Sequence, residues 1–554
     1  MIVECRLDSL LDLIGKKLSI EELEDTLFLI KAEIEKIDGN NIEIEVNPDR
    51  QDMLSAEGIA RAVKSFMGIQ KGLPKMKVTK SGKEIVVGEG LEKIRPYIAC
   101  SIIKGAIIDE ELVKEYMHLQ ESLTATHGRN RKKASIGLYV YEDIKFPIHY
   151  RLESPKKIQF VPLGHEKVMN GPTIMKEHDK GIIFGPIISD FKKWPLLIDS
   201  DDGILSLPPV INSNDLGRIT ETTQDIFVEV TGTHIPTVNQ ALNIITAAIA
   251  ERGGKVQSVT IRYPDGDIWE TPDLSPKIRE IHRDQVRDLL GLDLKSTQIV
   301  KALKRMCYGA KSIGNGSVEV KVPAYRTDIL HDVDIIEDIA IGYGFNNIEP
   351  TMPETMTTGK LLPISRLKNK TRDLMIGIGY QEILSFIMSS PEIMNEKMNR
   401  DRALVKTSNP KSRDYSILRN SLLPVLLDFT SQNQHADYPQ KVFEVGDIVI
   451  PDQRAETRCQ QIPAICGITS DTTVNVTDLI NEVGFLLRNL GLRGHFEFKR
   501  KEDPSFIAGR CAEIIIKEKS RGIIGEIAPE VLQAFKIGMP VVGFELNLPR
   551  NNQW

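Results

Sequence analysis

Three acids crowd one short stretch, Asp334-Ile-Ile-Glu337-Asp338. Asp328 stands a few residues earlier, at the end of the apolar alternating pattern Val318-Glu-Val320-Lys-Val322. The stretch predicts a helix that starts near Asp332, an N-capping residue type, and stops at Gly342 or Gly344. With Asp334 at zero on a wheel of about 100° per residue, Ile335, Ile336, Ile339, Ala340 and Tyr343 form one apolar stripe. Asp334, Glu337 and Asp338 fall on the opposite side, at i, i+3 and i+4. Three carboxylates on one turn repel unless a cation sits among them, and hard oxygen ligands suit magnesium. A solvated acidic face satisfies the same pattern.

Two other stretches could do chemistry. In His127-Gly-Arg129-Asn-Arg131-Lys132-Lys133, four cations sit close enough together to grip phosphate, or to be an ordinary solvated loop. In Ile226-Phe-Val-Glu229-Val-Thr231-Gly232, alternation puts Glu229 and Thr231 on one strand face with Phe227. That face is either wet or the wall of a polar pocket.

The elements that must position these residues include an internal repeat. A gap-free shift lays Asp288-Leu-Leu-Gly291 on Asp12-Leu-Ile-Gly15, Val318–Val322 on Ile42–Val46, and Arg326-Thr-Asp328 on Arg50-Gln-Asp52. The apolar stripe survives as Ile59, Ala60, Val63 and Met67. The acids do not: Gly58, Arg61 and Ala62 stand where the second copy has Asp334, Glu337 and Asp338. The fold of the module therefore does not require the carboxylates. The chain divides into a first module at 1–69 with a helical start, a Lys/Gly-rich connection at 70–95 with one short strand at Ile85-Val-Val87, and an α+β domain at 96–262. A hairpin signal at 263–275, the second module at 276–350 and a C-terminal region at 360–554 follow. The last region alternates strands with helices, as an antiparallel sheet flanked by helices would.

Composition narrows the function classes. At 554 residues the chain can build several cores. A net charge of -6 announces no global attraction to nucleic acid. Six cysteines without a CxxC pair argue for reduced thiols and against a zinc ribbon. No signal-peptide core and no membrane-length apolar run are present, so the expectation is a cytoplasmic protein with no membrane partner.

Four motif sets in order carry a resemblance across essentially the whole chain. They are Glu45-Val-Asn-Pro48-Asp-Arg50-Gln-Asp52-Met-Leu54, the acidic stretch Arg326–Gly344, Asn409-Pro410 with Leu418-Arg419-Asn-Ser421-Leu422-Leu-Pro424, and Phe443-Glu444-Val-Gly446-Asp447. Together they resemble the β subunit of phenylalanyl–tRNA synthetase in its archaeal and eukaryotic-like form. The bacterial form adds an OB-type module and an anticodon-binding domain, for which this sequence leaves no room.

The resemblance implies a multidomain α+β protein. It would contain two small α/β modules, an editing-like domain of B3/B4 type, a B5-type second module and a class II synthetase-like core without catalytic residues. It implies an α2β2 heterotetramer in which the partner α subunit binds ATP and joins phenylalanine to its tRNA. The candidate core strand Val442–Ile450 has no arginine for ATP phosphate, and Gly509-Arg510 alone resembles the last core motif. The helix Leu418–Leu427 is then a candidate contact with the partner. The resemblance also implies Mg2+ at Asp328, Asp334, Glu337 and Asp338. It implies editing at Leu197, Ser206, Glu229 and Thr231, with Glu229 accepting the hydroxyl of a wrongly attached tyrosine. Arg129, Arg131, Lys132 and Lys133 become candidate RNA contacts. Two other classes fit the residues: an RNA-binding scaffold without hydrolysis, and a magnesium-dependent hydrolase acting alone.

Overall fold

Alternating burial builds the first module. In the computed structural model, which describes residues 1–549, Val3 and Cys5 turn inward from the strand Ile2–Arg6. Ile42, Ile44 and Val46 do the same from Asn41–Val46. These strands and Ala32–Asp38 form an antiparallel sheet with Asn41–Val46 in the middle. Helices Leu7–Ile14, Ile20–Leu29 and Ala56–Phe66 cover it. Ser19 and Glu22 close a capping box on the second helix, and Gly15, at φ 73, ends the first. The expected helical start is a strand first. Its alternation is too short to be told from the helix that follows at once.

The second module repeats this plan. Lys277–His282, Ser317–Val322 and Gly309–Gly314 pair in the same order. Arg283–Leu290, Ser296–Arg305 and Asp332–Tyr343 are its helices. Register is preserved too: Ile2 faces Glu45, and Ile278 faces Lys321. The two modules touch at equivalent positions, Thr327 Oγ1 lying 3.3 Å from Gln51 Oε1. A contact between equivalent positions marks a local two-fold axis. On either side of it an Arg-x-Asp fork closes. Arg50 grips Asp52 at 2.8 and 3.0 Å, and Arg326 grips Asp328 at 2.8 and 2.6 Å. One continuous apolar core runs through both modules and under one face of the middle sheet.

That middle sheet has ten strands. Its centre runs Ile148–Glu153, Val78–Val87, Lys255–Arg262, Tyr97–Lys104, Ile226–Gly232, Ala134–Val140. Residues 70–95 are thus more than a connection, since Val78–Val87 pairs in parallel with two neighbours. The hairpin expected at 263–275 is formed by Lys255–Arg262 and Ile268–Thr271. Helices Glu110–Ala125 and Ile235–Ala250 pack on one face against Ile226, Val228 and Val230. Phe227, Tyr139 and Leu205 fill the other face. Every residue of Ile226–Gly232 is therefore buried, and the wet-face reading of Glu229 and Thr231 is excluded.

The structure separates into two compact units, Met1–Met352 and Pro353–Trp554. The second is built on a seven-stranded sheet, antiparallel except where Gln381–Glu382 joins Gln440–Pro451. Pro363–Gly377 and Val476–Leu487 cover one face, and Leu423–Gln432 and Pro529–Ala534 the other. The expected partner helix, Leu418–Leu427, begins only at Leu423, and Leu422, Leu423, Leu426 and Leu427 are fully buried in this core. It is a packing helix, because those leucines meet the sheet. Nearby Leu384 and Phe386 are the exposed apolar residues instead.

Arg326 holds Asp338 as well as Asp328, and both carboxylates are nearly buried. Replacing it in Arg326→Met strands two charges, a change that typically costs about 3–5 kcal/mol. Urea unfolding of the first unit should show the loss as an earlier midpoint. An unchanged midpoint would show the fork to be idle.

Candidate functional site: a polar pocket in the middle sheet

Glu229 sits between Gly137 and Cys100 on the neighbouring strands. A Cβ on residue 137 would lie 2.4 Å from the Tyr139 hydroxyl, so glycine there opens the space that hydroxyl occupies. Tyr139 donates to Glu229 Oε2 at 3.0 Å, and Asn212 Oδ1 lies 3.5 Å from the same hydroxyl. Glu229 Oε1 is buried with no hydrogen-bond partner, as is Ser206 Oγ. Both residues line a cavity of about 160 Å³, with Gln120, Arg131, Ser135 and Asn212 among its polar walls and Val113, Met117, Leu138 and Ile219 among its apolar ones. The volume matches the roughly 150 Å³ that admits a benzene ring in an engineered cavity. Burial pushes the Glu229 carboxyl up to about 7, against the pull of the Tyr139 and Thr231 hydroxyls and the Arg95 guanidinium. An apolar-walled cavity with a few convergent polar groups and a shifted carboxyl is the usual form of a small-molecule site.

The other expected pocket residues stand back from this cavity. Leu197 is fully buried in the adjoining core and pairs with Ser206 across the strands, so it seats Ser206 without touching the space. Thr231 lies one step further along its strand, where its hydroxyl accepts from Arg95 Nε at 3.0 Å. Tyr139, Arg95, Gln120 and Asn212 were not legible as site residues. They come from other strands, a helix and loops, and only Gly137-x-Tyr139 hints at a tyrosine folded toward a gap.

The basic loop splits. Arg129, Asn130 and Arg131 take successive left-handed conformations at φ 50, 51 and 64. Arg131 turns into the protein, donating to the Pro209 and Val210 carbonyls at 3.2 and 2.9 Å and stacking 4.0 Å over Phe184. Arg129 and Lys132 are exposed and Lys133 is half-buried.

The acid cluster does not assemble as the wheel suggests. Asp338 is buried and takes hydrogen bonds from Tyr308 at 2.5 Å and Arg326 at 2.6 Å. Asp328 is gripped by the same arginine. Asp334 accepts the Leu330 and His331 N–H groups, each at 2.7 Å, as a helix cap. Glu337 pairs with Lys31 of the first module at 2.7 Å. Among the described residues, the three acids whose oxygens converge within 4.8 Å are the exposed Glu33, Glu35 and Glu45. Magnesium asks for near-octahedral oxygens at about 2.0–2.1 Å. Four acids already committed to a cation or an N–H do not form that cage.

Comparison with known proteins places this architecture. Residues 348–548 match the family described as the phenylalanyl tRNA synthetase beta chain CLM domain, and residues 279–345 match the tRNA synthetase B5 domain. The phenylalanine–tRNA ligase beta subunit of Pyrococcus horikoshii is 40% identical over 542 residues, spanning 97% of each chain. The chain belongs to the phenylalanine–tRNA ligase beta-subunit family. It is therefore one of the aminoacyl-tRNA synthetase subunits. Within the family, the beta subunit of Methanosarcina barkeri is 41% identical over 522 residues, 94% of each chain. The crystal structure of an N-terminal fragment of the P. horikoshii beta subunit superimposes with a TM-score of 0.60 at 39% identity. It covers 62% of this chain and 99% of that fragment. For this family member, no helix among the described residues is long and apolar enough to cross a membrane.

A ligand that binds only the folded state stabilises it, by about 2.7 kcal/mol at a hundredfold excess over its dissociation constant. Because all four acids are already partnered, the melting temperature of the purified chain should be the same with magnesium as with EDTA. A rise in magnesium that Asp338→Asn abolishes would show that the acids rearrange around the ion.

Proposed function

We propose that this chain supports ATP-dependent attachment of phenylalanine to its tRNA by a partner α subunit, and that its middle domain hydrolyses tyrosyl-tRNA. The observation that carries the editing reading is a pair of buried atoms without a hydrogen-bond partner, Glu229 Oε1 and Ser206 Oγ, on two residues that line a ring-sized cavity. Phenylalanine and tyrosine differ by one hydroxyl. A hydrophobic synthetic pocket rejects an added hydroxyl weakly, whereas a site built to bond a hydroxyl rejects the analogue without it by about 10⁴ or more. Glu229 Oε1 is the acceptor such a site needs. The cavity walls bring together no Ser–His or Cys–His pair. The chain's own part is then to hold the phenol while water attacks the ester carbonyl and the tRNA hydroxyl leaves. Arg129 and Lys132, exposed on the loop that sends Arg131 into the cavity wall, are our candidates for tRNA backbone contacts.

The second unit supports the division of labour. Its mostly antiparallel sheet flanked by helices suits a class II-like core, but its central charges are spent on one another. Arg419, buried with Glu444, binds it at 2.8 Å and also donates to the half-buried Asp447 carbonyl at 2.9 Å. Glu545 accepts the Leu422 N–H at 3.0 Å and bonds Ser421. Arg510 pairs with Glu526. Arg419 is closed off from any phosphate, which leaves the exposed Arg510 alone in this set, so we assign ATP to the α subunit. For magnesium we propose no preformed site in this chain, since an ion at Asp328, Asp334, Glu337 and Asp338 requires Arg326 to release a carboxylate. We assign the protein to the cytoplasm, where six unpaired cysteines stay reduced.

The test uses the complex with its α subunit and tyrosyl-tRNA specific for phenylalanine. Glu229→Ala should slow deacylation by about tenfold or more, the worth of a lost charge-assisted hydrogen bond. Equal rates would place editing elsewhere or nowhere in this chain, and leave the RNA-binding scaffold as the better reading. The pH dependence has a definite sign. A carboxyl raised to about 7 is neutral below that pH and becomes a pure acceptor above it. The ratio of tyrosyl- to phenylalanyl-tRNA deacylation should therefore climb as pH rises through about 7.

A further inference from the structure

Glu229 keeps Oε2 bonded while its buried Oε1 has no partner, and its surroundings show why. We propose that Tyr139 and Arg95 are positioning residues for Glu229. Tyr139 holds Oε2 and so leaves Oε1 as the one oxygen a ligand can claim, while Arg95, bonded to Thr231 on the same strand, is the nearby countercharge. This rests on the editing reading above and adds what sets the geometry and charge of its acceptor.

Tyr139 is fully buried, with its ring tilted against Phe227 at 5.8 Å between centroids. Its hydroxyl has one place to go, the gap left by the missing side chain at Gly137. There it meets Oε2 at 3.0 Å. A carboxylate with both oxygens free would rotate, and one with both oxygens bonded would have fewer lone pairs to offer a ligand. One fixed donor on Oε2 leaves a single acceptor, aimed. Substrate recognition of this kind depends on side chains locked by the groups behind them.

Arg95 is 1% exposed and makes four bonds, none to a carboxylate. Its Nε donates to Thr231 Oγ1 at 3.0 Å, and its Nη2 to the Thr231 carbonyl at 2.5 Å and Ser135 Oγ at 2.9 Å. Its Nη1 donates to the Arg131 carbonyl at 3.1 Å. A buried charge without a partner is costly. Glu229 is the carboxylate whose field reaches it, and burial lowers the guanidinium to about 10. Because Arg95 donates into the Thr231 oxygen, the Thr231 hydroxyl hydrogen is free to be given onward, toward Ser135 at 3.2 Å or toward Glu229. Arg95 is thus anchored to the strand that carries Glu229, two residues from the carboxylate it faces. This gives Thr231 a place in the site although it does not line the cavity. The other groups facing Glu229 do not supply a free countercharge. The Cys100 and Tyr150 side chains are kept neutral by burial, the Arg131 guanidinium answers to Glu121, Lys180 pairs with Glu121, and Arg218 is exposed at the rim.

The experiment measures deacylation of tyrosyl- and phenylalanyl-tRNA across pH with the complex carrying Tyr139→Phe, Arg95→Met or Arg95→Lys. Tyr139→Phe keeps the ring and the packing, so it tests the idea even if Arg95→Met fails to fold. The expected result for Tyr139→Phe is a tyrosyl to phenylalanyl ratio at least several-fold lower at neutral pH, with its midpoint moved to higher pH. Arg95→Met should move the midpoint the same way, and Arg95→Lys should restore it in part. A uniform drop at every pH with the midpoint unmoved would mark structural damage and overturn the proposal, as would wild-type profiles in Tyr139→Phe and Arg95→Met. If Glu229→Ala also matches wild type, the editing reading itself has failed, which is a different outcome.

Discussion

A guanidinium taken out of water must find anions or carbonyls, and this requirement organises the first unit. Arg50 and Arg326 meet it with identical forks on their own loops, one in each module, on either side of the axis marked by Gln51 and Thr327. The modules can share a core because these charges are closed off before they meet. Arg326 goes further and takes in Asp338 from the helix that follows, so a loop, a helix and, through Tyr308, a strand edge are tied at one point. A metal-site pattern and a structural clamp draw on the same residue types. What separates them is whether a cation from the chain has already arrived.

The same distinction runs through the molecule. The Arg419–Glu444 pair in the second unit is buried and closed, with Arg419 also bonded to backbone and Ser385. Such a cluster holds a fold together and has nothing left for a ligand. Glu229 differs by one bond. It is as deeply buried, but one oxygen is bare and the space before it is open. An unfilled valence beside a cavity is the physical sign of function that closed pairs lack.

Much of this was readable in the residues and some was not, for reasons particular to each. The module repeat was legible because no gap interrupts it, so both sets of helices start in step. Glu229 and Thr231 were legible as sharing a face, but whether that face was wet depended on strands and helices far away in sequence. Asp338 was misplaced because a helical wheel knows only its own helix and nothing of Arg326 folding beneath it. Ser206 lines the cavity and Leu197, its register partner on the next strand, does not, a difference of one strand that no pattern of residue types encodes. Tyr139 and Arg95 were invisible for the same reason, since their partners are 90 and 136 residues away.

The clasp between Gln51 and Thr327 joins positions 276 residues apart, with the entire middle domain strung between them. In polymer terms that domain is a closed loop whose two ends are tied at one knot. The entropy of closing a loop grows only with the logarithm of its length, about 0.6 kcal/mol for each doubling. The clasp is therefore almost indifferent to how much chain it encloses. Residues added to or trimmed from the exposed loops of the middle domain, away from the core it shares with the modules, would leave the geometry of the paired modules as it is.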